Sequence, residues 1–446
     1  MSRVTGRPSP ARGPWSGRRL HLVGIGGAGM SGLALIAAAL GASVTGSDRA
    51  PSSYTERLRE RGLSPVIGHD AANVPAGAEV VHSSAIAPDN PELSAGSRRL
   101  HRSELLAEIA ALRRCLAVTG THGKTTTSGM IVHALRAAGL DPSYVVGAEL
   151  RDTGSNAGWG SGEWIVVEAD ESDRSLLRLR PEIALLTNAE LDHHATYASR
   201  LDLERTLARF MARAGRAVVW ERPALRALCP ADAIGYDAPD AEPRPDGVRF
   251  SWRGMTVALR VRGVHNAVNA AGALTACELA GADVAAAARA LGGFVGARRR
   301  LEEVGRTRSG ADVYDDYAHH PTEVAAAIAA AASLGRRRLV AVFQPHLYSR
   351  TAALWRRFGQ ALAAADAVCV LPVYAAREDP ADFPGVDGRL IARAAADAAA
   401  GRQVSWMPSL DEARQHLEAT LREGDLCLVM GAGDVDRLAR ALVHGG

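Results

Sequence analysis

Short apolar runs closed by glycine or polar turns alternate along the chain with longer stretches of helical period. Residues 20–24 form one such run; a glycine turn follows, a helical pattern covers 30–40, and 43–46 reads as the next strand. Residues 79–84 predict a later strand, and 98–112 a helix leading onward. A second block opens with the buried run 115–118. It continues through 163–168 (EWIVVE), 183–187 (IALLT) and 217–220, runs of the parallel-strand type. Residues 237–247 read as a loop, 248–261 as a hairpin turning at Arg253-Gly254, and 265–280 as a helix of small residues. From about residue 297 a third block follows, with strands at 313–317, 339–343, 367–373 and 426–430 and helices between them. The alanine-rich stretches 324–332 and 390–400 read as packing faces. Strand–helix alternation throughout predicts an α/β protein with mostly parallel sheets.

At 446 residues the chain exceeds one core, so two or three domains are expected. Its 47% hydrophobic and 23% charged content is that of a globular protein. A formal charge of +3 argues against a dedicated nucleic-acid binder. The five cysteines are scattered with no C-x-x-C pair, which argues against a disulfide framework or structural zinc and fits a reducing cytoplasm. Residues 1–17, rich in Arg, Pro, Gly and Ser, read as a disordered tail without the apolar segment of a signal peptide. No run approaches the length of a membrane span.

The most informative stretch is Gly120-Thr121-His122-Gly123-Lys124-Thr125-Thr126, between a strand and a helix. Such a loop turns backbone N–H groups toward a phosphate chain, and the helix N-terminus adds about half a positive charge. Lys124 would reach the terminal phosphates, and the Thr125 hydroxyl could hold magnesium. Val118 stands where the first glycine of the common G-x-x-x-x-G-K-[ST] pattern belongs, which points to a narrower family than the general NTPases.

Other polar clusters also follow strands. Gly24-Ile25-Gly26-Gly27-Ala28-Gly29, with Asp48 placed 24 residues beyond Gly24, has the layout of a dinucleotide site without saying which nucleotide. Glu168-Ala169-Asp170-Glu171-Ser172-Asp173 offers hard oxygen ligands for magnesium, Glu168 best placed of them. In Thr187-Asn188-Ala189-Glu190-Leu191-Asp192-His193-His194, a neutral imidazole could complete a second metal shell or orient a reactant. Asn266 and Asn269 share a helix face and could meet an adenine edge or a phosphate, Asn266 doubling as a helix cap. In Arg298-Arg299-Arg300 a guanidinium could offset charge on a transferring phosphoryl group. Asp315-Asp316-Tyr317-Ala318-His319-His320-Pro321-Thr322-Glu323 and Phe343-Gln344-Pro345-His346 end successive strands, where open α/β sheets place ligands.

Together these motifs, in order from about residue 19 to the C-terminus, resemble the Mur ligase family, in the branch that adds L-alanine to UDP-N-acetylmuramate. GTHGKTTT (120–127) and DDYAHHPTE (315–323) carry the resemblance most specifically; SSAI (83–86), HNAVNA (265–270) and RRL (299–301) add to it. The resemblance implies three domains: a Rossmann-like UDP-sugar domain (18–113), a central P-loop ATPase-like domain (114–296) and a Rossmann-like C-terminal domain for the amino acid (297–446). It implies an ATP- and Mg2+-dependent ligase that forms an amide through an acyl phosphate, in cytoplasmic peptidoglycan precursor synthesis, working as a monomer or weak homodimer.

The site residues implied by the resemblance are these. Gly120, Thr121, His122, Gly123, Lys124, Thr125 and Thr126 cradle ATP, with His265, Asn266 and Asn269 at the nucleotide. Thr125, Glu168 and His193 hold metal. Arg300 and Asp316 reach in from the third domain. Gly26, Gly27, Gly29, Met30, Ser31, Ser83, Ser84, His319, His346 and Arg350 bind the sugar nucleotide or amino acid. Leu347 stands where the family usually has arginine, Ala318 where it has glycine, and Arg377-Glu378-Asp379 alters a usual Gly-Glu stretch. The carbamylated lysine of related ligases has no counterpart. Alternatives are a muropeptide-recycling ligase acting on the same sugar nucleotide, an NAD-dependent dehydrogenase built on Gly24–Gly29 and Asp48, and an ATP-driven binding module.

Overall fold

The computed structural model describes residues 13–193 and 196–444; residues 1–12 of the expected tail, and His194, lie outside them. Residues 13–17 do not read as tail. The Trp15 amide donates to Leu40 O at 3.0 Å and its ring lies 4.4 Å from the Arg18 guanidinium. An indole has apolar surface to bury, and Trp15 packs against the N-terminal core.

Three α/β units follow one another. The first is a five-stranded parallel sheet in the order Val66–Ile67, Ser43–Asp48, Arg19–Val23, Glu79–His82, Arg98–His101. The expected helix over 98–112 is divided. Arg98–His101 pairs with Glu79–His82 as an edge strand, and only Arg102–Ala110 is helical. His101 and Glu104 form a capping box at that boundary, satisfying the first helical amides.

The second sheet has seven strands, in the order Ile234–Tyr236, Arg216–Trp220, Ile183–Leu186, Arg114–Thr119, Trp164–Glu168, Ser143–Leu150, Ser155–Gly158. All pair in parallel except the last. Ser143–Leu150 and Ser155–Gly158 are not apparent from apolar periodicity, since glycine and polar residues interrupt them. Residues 237–247 are not wholly loop either: Glu242–Arg244 is the exposed third strand beside the expected hairpin, here Gly247–Trp252 and Met255–Leu259.

The third sheet runs Glu302–Arg306, Asp312–Asp316, Asp425–Met430, Arg338–Phe343, Ala367–Val370, Gln403–Trp406, its first strand antiparallel. Among the described residues no helix is long and apolar enough to cross a membrane.

The two interfaces between units differ in chemistry. The first unit's helix Ala28–Ala39 packs directly on Ser143–Leu150 and Ser155–Gly158, and one continuous apolar core joins the two units. Gly32 permits that approach: a Cβ there would lie 3.3 Å from Ala157 Cβ and from Asn156 Nδ2. The third unit has its own two apolar clusters, and it meets the phosphate-loop region through ion pairs and hydrogen bonds. Where the first unit's contact is apolar, the third unit's contact is polar.

Candidate active site

A cavity of about 790 Å³ opens where the three units meet. Its wall includes Gly26 and Gly29 from the first unit, Lys124, Thr125, Glu168 and His193 from the second, and Arg300 and His319 from the third.

The phosphate loop is shaped by the end of the neighbouring strand. Gly120 has φ +126°, and a Cβ there would come within 2.2 Å of Thr187 Oγ1. Thr187 Oγ1 donates to His122 O at 2.7 Å, and Asn188 Nδ2 donates to the same carbonyl at 2.9 Å. Gly123, at φ +80°, precedes the helix Lys124–Ala137, whose N-terminus has no side-chain cap. Those free amides suit an anion. The His122 amide does not, because it donates to Asn188 Oδ1 at 2.9 Å.

Lys124 folds over its own loop. Its Nζ donates to Gly120 O at 2.6 Å and Thr121 O at 3.0 Å, and lies 2.8 Å from Glu171 Oε2. Burial works against its charge, but Glu171, then Asp170 and Glu168, outweigh that and raise its pKa. Thr125 Oγ1 donates to Glu168 Oε1 at 3.1 Å, and Gly147 N donates to Glu168 Oε2 at 2.7 Å. Burial raises the Glu168 carboxyl, against the pull of Lys124. His193, at φ +55°, places Nε2 at 3.5 Å from Glu171 Oε1. Burial lowers its pKa, yet Glu171 turns the net shift upward. Glu171 thus sits between Lys124 and His193. The sequence marks Glu168 as the best-placed ligand of the acidic run; Glu171, three residues further on inside EADESD, is not among the expected site residues.

In the glycine-rich turn of the first unit, Gly26 N donates to Asp48 Oδ2 at 2.8 Å. Asp48 is therefore engaged in holding the turn. Met30 and Ser31 lie inside the packed helix, off the cavity wall, with Ser31 Oγ donating to Ala28 O at 2.9 Å. Ser84 Oγ donates to Asp173 Oδ2 at 3.0 Å, and the Ser83 hydroxyl accepts from Ala85 N at 3.3 Å. Arg102, absent from the expected set, lines the cavity and pairs with Asp170 at 3.0 Å and Asp173 at 2.9 Å.

Asn266 is not a helix cap. Gly263 holds that position for Val264–Leu279, and the Asn266 amide donates to Arg262 O at 2.7 Å. Asn269 donates to Asn266 and lies against the phosphate loop, where a Cβ on Gly123 would meet its Oδ1 at 2.8 Å. Burial and then the Arg300 charge push His265 down to about 4, leaving a neutral ring.

From the third unit, Arg300 enters the cavity above the Tyr317 ring, 5.4 Å from its centroid. Asp316 does not reach in. Its oxygens accept from Leu301 N at 2.7 Å and Ala318 N at 2.8 Å, so it fixes the turn around Arg300. Ala318 needs no glycine: its φ is not positive. Burial pushes His319 down to about 4 and, with the charges of His319 and Arg350, His346 down to about 3. Arg350 is buried and bound in two-point contact by Asp192 at 2.9 and 3.0 Å, so it is not free for a substrate carboxylate.

His122 bridges two units. Nδ1 lies 3.1 Å from Glu323 Oε1, and Nε2 lies 3.2 Å from Glu190 Oε2. Burial opposes protonation, but the Glu190 and Glu323 hydrogen bonds prevail and push the ring up to about 9, from 6.5. A raised histidine pKa stabilises fully below the unfolded value and loses that contribution as pH climbs through the folded one. The stability advantage of the parent over His122→Gln is therefore expected to be largest below pH 6.5 and to fade through pH 9. Denaturant titrations across that range check it; a constant difference refutes it.

A phosphate loop, a carboxylate–threonine pair and a cation from the third unit, around one cleft, define a three-domain nucleotide-dependent enzyme. Family comparisons narrow the class. "Mur ligase family, catalytic domain" matches residues 19–114, "Mur ligase middle domain" 118–277 and "Mur ligase, glutamate ligase domain" 299–433. The UDP-N-acetylmuramate–L-alanine ligase of Rubrobacter xylanophilus is 43% identical, covering 95% of this chain and 99% of the relative. That of Gloeobacter violaceus is 43% identical, covering 96% of each. The crystal structure of UDP-N-acetylmuramate-alanine ligase MurC from Thermotoga maritima superposes with a TM-score of 0.82 at 27% identity, covering 95% of this chain and 98% of that one. A murein peptide ligase from Psychrobacter arcticus shares the fold, with a TM-score of 0.71 at 24% identity and coverage of 96% and 98%. The chain belongs to the Mur ligase family, and is an ATP-dependent ligase of the three-domain fold.

Proposed function

We propose that this ligase joins L-alanine to the lactyl carboxylate of UDP-N-acetylmuramate, with ATP converted to ADP and phosphate, in cytoplasmic peptidoglycan precursor synthesis. The supporting observation is the cavity at the junction of all three units, into which Lys124, Glu168 and Arg300 converge. Curated alanine-adding relatives, aligned over nearly their whole length, support the substrate pair. Asp48, spent on the Gly26 amide, weighs against the dehydrogenase reading, in which it would hold a ribose.

A carboxylate is a poor electrophile, because its leaving group would be oxide. Transfer of the γ-phosphoryl group to a lactyl carboxylate oxygen makes an acyl phosphate and ADP. The alanine amine then attacks the carbonyl carbon and loses a proton, and the C–O bond to phosphate breaks. Negative charge gathers on the phosphoryl oxygens in the first step and on the tetrahedral oxygen in the second. Lys124 and Arg300 offset it, one from the loop and one from the third domain. Lys124 first exchanges its loop carbonyls for phosphate oxygens. The uncapped amides of Lys124–Ala137 take the remaining charge, and His265 and the Asn266–Asn269 pair border the nucleotide.

The residues present suit magnesium: Glu168, Thr125 and the nearby Asp170 and Glu171 are hard oxygen donors beside a phosphate site. Thr125 and Glu168 would hold one ion, and His193 with Glu168 a second. Such an ion neutralises phosphate charge when bound. His319 and His346, held neutral, border the acceptor site from the third domain, and Gly26, Gly27 and Gly29 offer the sugar nucleotide a close backbone approach. The enzyme acts as a monomer or weak homodimer.

Phosphate release with UDP-N-acetylmuramate, ATP and magnesium across an amino-acid panel tests this. Release is expected to depend on alanine. Release driven by a tripeptide and not by alanine would transfer the assignment to a recycling ligase.

A further inference from the structure

We propose that Glu149 is a positioning residue that ties all three domains together and sets the direction of Arg300. This rests on the reading of Arg300 as the third-domain cation of phosphoryl transfer.

Glu149 is buried in the strand Ser143–Leu150, and its carboxylate meets two guanidinium groups. Arg57, from the first domain's helix Ser53–Glu60, pairs with Oε2. Arg298 Nε donates to Oε1 at 2.8 Å. The backbone adds a short ladder. Arg298 N donates to Glu149 O at 2.9 Å, Arg151 N donates to Gly296 O at 3.1 Å, and Leu150 bridges Ala297 in antiparallel fashion. Residues 296–298 are thereby fastened to the central sheet.

Immediately beyond, the chain turns sharply. Arg299 and Leu301 both take positive φ, 57° and 46°, a conformation that side-chain-bearing residues rarely adopt. Arg299 is anchored to the third domain, with Nε donating to Asp315 at 3.0 Å and Nη2 to Gly431 O at 2.6 Å. Arg300 thus lies two positions beyond Arg298, the last residue held by the central domain, while its immediate neighbours Arg299 and Leu301 are both held by third-domain carboxylates. Among the described residues its own guanidinium has no hydrogen-bond or ion-pair partner. Its aim is set by its neighbours.

One buried carboxylate between two cations is the sensitive point. Without its charge, Arg57 and Arg298 lose the carboxylate they share, Arg298 keeps only Glu302 at 3.9 Å, and the turn that leads from Arg298 to Arg300 shifts. Through Arg57 the same carboxylate connects the first domain to that turn, so docking of the sugar-nucleotide domain bears on Arg300.

The test compares Glu149→Gln, Arg300→Gln and the double variant by phosphate release, with thermal melting as a check on folding. Arg300→Gln is expected to lose about a hundredfold in kcat, the scale of one preorganised donor. Glu149→Gln is expected to lose about tenfold in kcat with the KM for ATP nearly unchanged, and the double variant to be no slower than Arg300→Gln alone, as for residues acting as one unit. Should Glu149→Gln fail to fold, Arg298→Gln breaks the same pair from the other side and enters the same comparison. A slow Arg300→Gln beside a fully active Glu149→Gln overturns the inference alone, as does a double variant whose losses multiply. A fully active Arg300→Gln overturns the reading of Arg300 and the inference with it.

Discussion

Lys124→Ala is expected to lose at least a hundredfold in turnover while the protein stays folded, since removing one preorganised donor costs about 3 kcal/mol of transition-state stabilisation. The structure gives reason to expect the loss in kcat as well as in ATP affinity. Glu168, Asp170 and Glu171 all bear on Lys124, and its ammonium is the charge that most opposes burial at Glu168. Without it, Glu168 loses the cation that most favours its ionised form. One substitution thus removes a phosphate contact and weakens the donor set beside it. Phosphate release at saturating sugar nucleotide and alanine, with circular dichroism confirming the fold, measures this; near-normal turnover would falsify the assignment of the loop.

The loop is legible in the sequence because its determinants are local. A buried strand, two glycines at positive φ and an uncapped helix start all fall within residues 114–124. The alternation of strands and helices is legible for the same reason. Ser143–Leu150 is not, although it carries Gly147 and Glu149 to the cavity. Its usefulness to the site comes from glycine and a charge, the residues that erase a strand's apolar signature. Arg98–His101 is hidden by the helix that follows it without a break.

The individual site residues divide along similar lines. The strand-end position points to Glu168 and the family resemblance to Arg300, and both line the cavity. What the sequence does not reveal is which polar groups are already engaged. Asp316 holds backbone amides, Asp48 holds a turn, and Arg350 is bound by a carboxylate 158 positions earlier in the chain. Nothing local announces such partners: Asp48 and Asp316 meet theirs where their own units fold back, and Arg350 meets Asp192 only where two domains join.

The Asp192–Arg350 pair carries the second large expectation. Both side chains are 3% exposed, and two parallel hydrogen bonds join the central domain to the third domain's helix Tyr348–Leu362. Removing one partner of a buried pair typically costs about 3–5 kcal/mol, because the other charge is left without compensation. Here the stranded Arg350 has an escape. The interface around it is polar, so the third domain can swing away and let water reach the guanidinium. Asp192→Ala is therefore expected to undock that domain before it unfolds any sheet. The radius of gyration should rise in scattering, turnover should fall steeply, and far-ultraviolet dichroism should hardly change. Burial would raise the Asp192 carboxyl, yet Arg350 and His193 hold it far below the usual range. A depressed carboxyl contributes stability above its unfolded pKa and loses it only as pH drops through the folded one. This clasp should accordingly hold unchanged from neutral pH down to the ordinary carboxylate range, while the His122 bridge weakens on the alkaline side. Replacing both partners, as Asp192→Leu with Arg350→Met, should recover part of the lost compactness, since a well-packed apolar pair leaves no buried charge. An Asp192→Ala protein as compact and active as the parent would show that the pair does not hold the third domain in place.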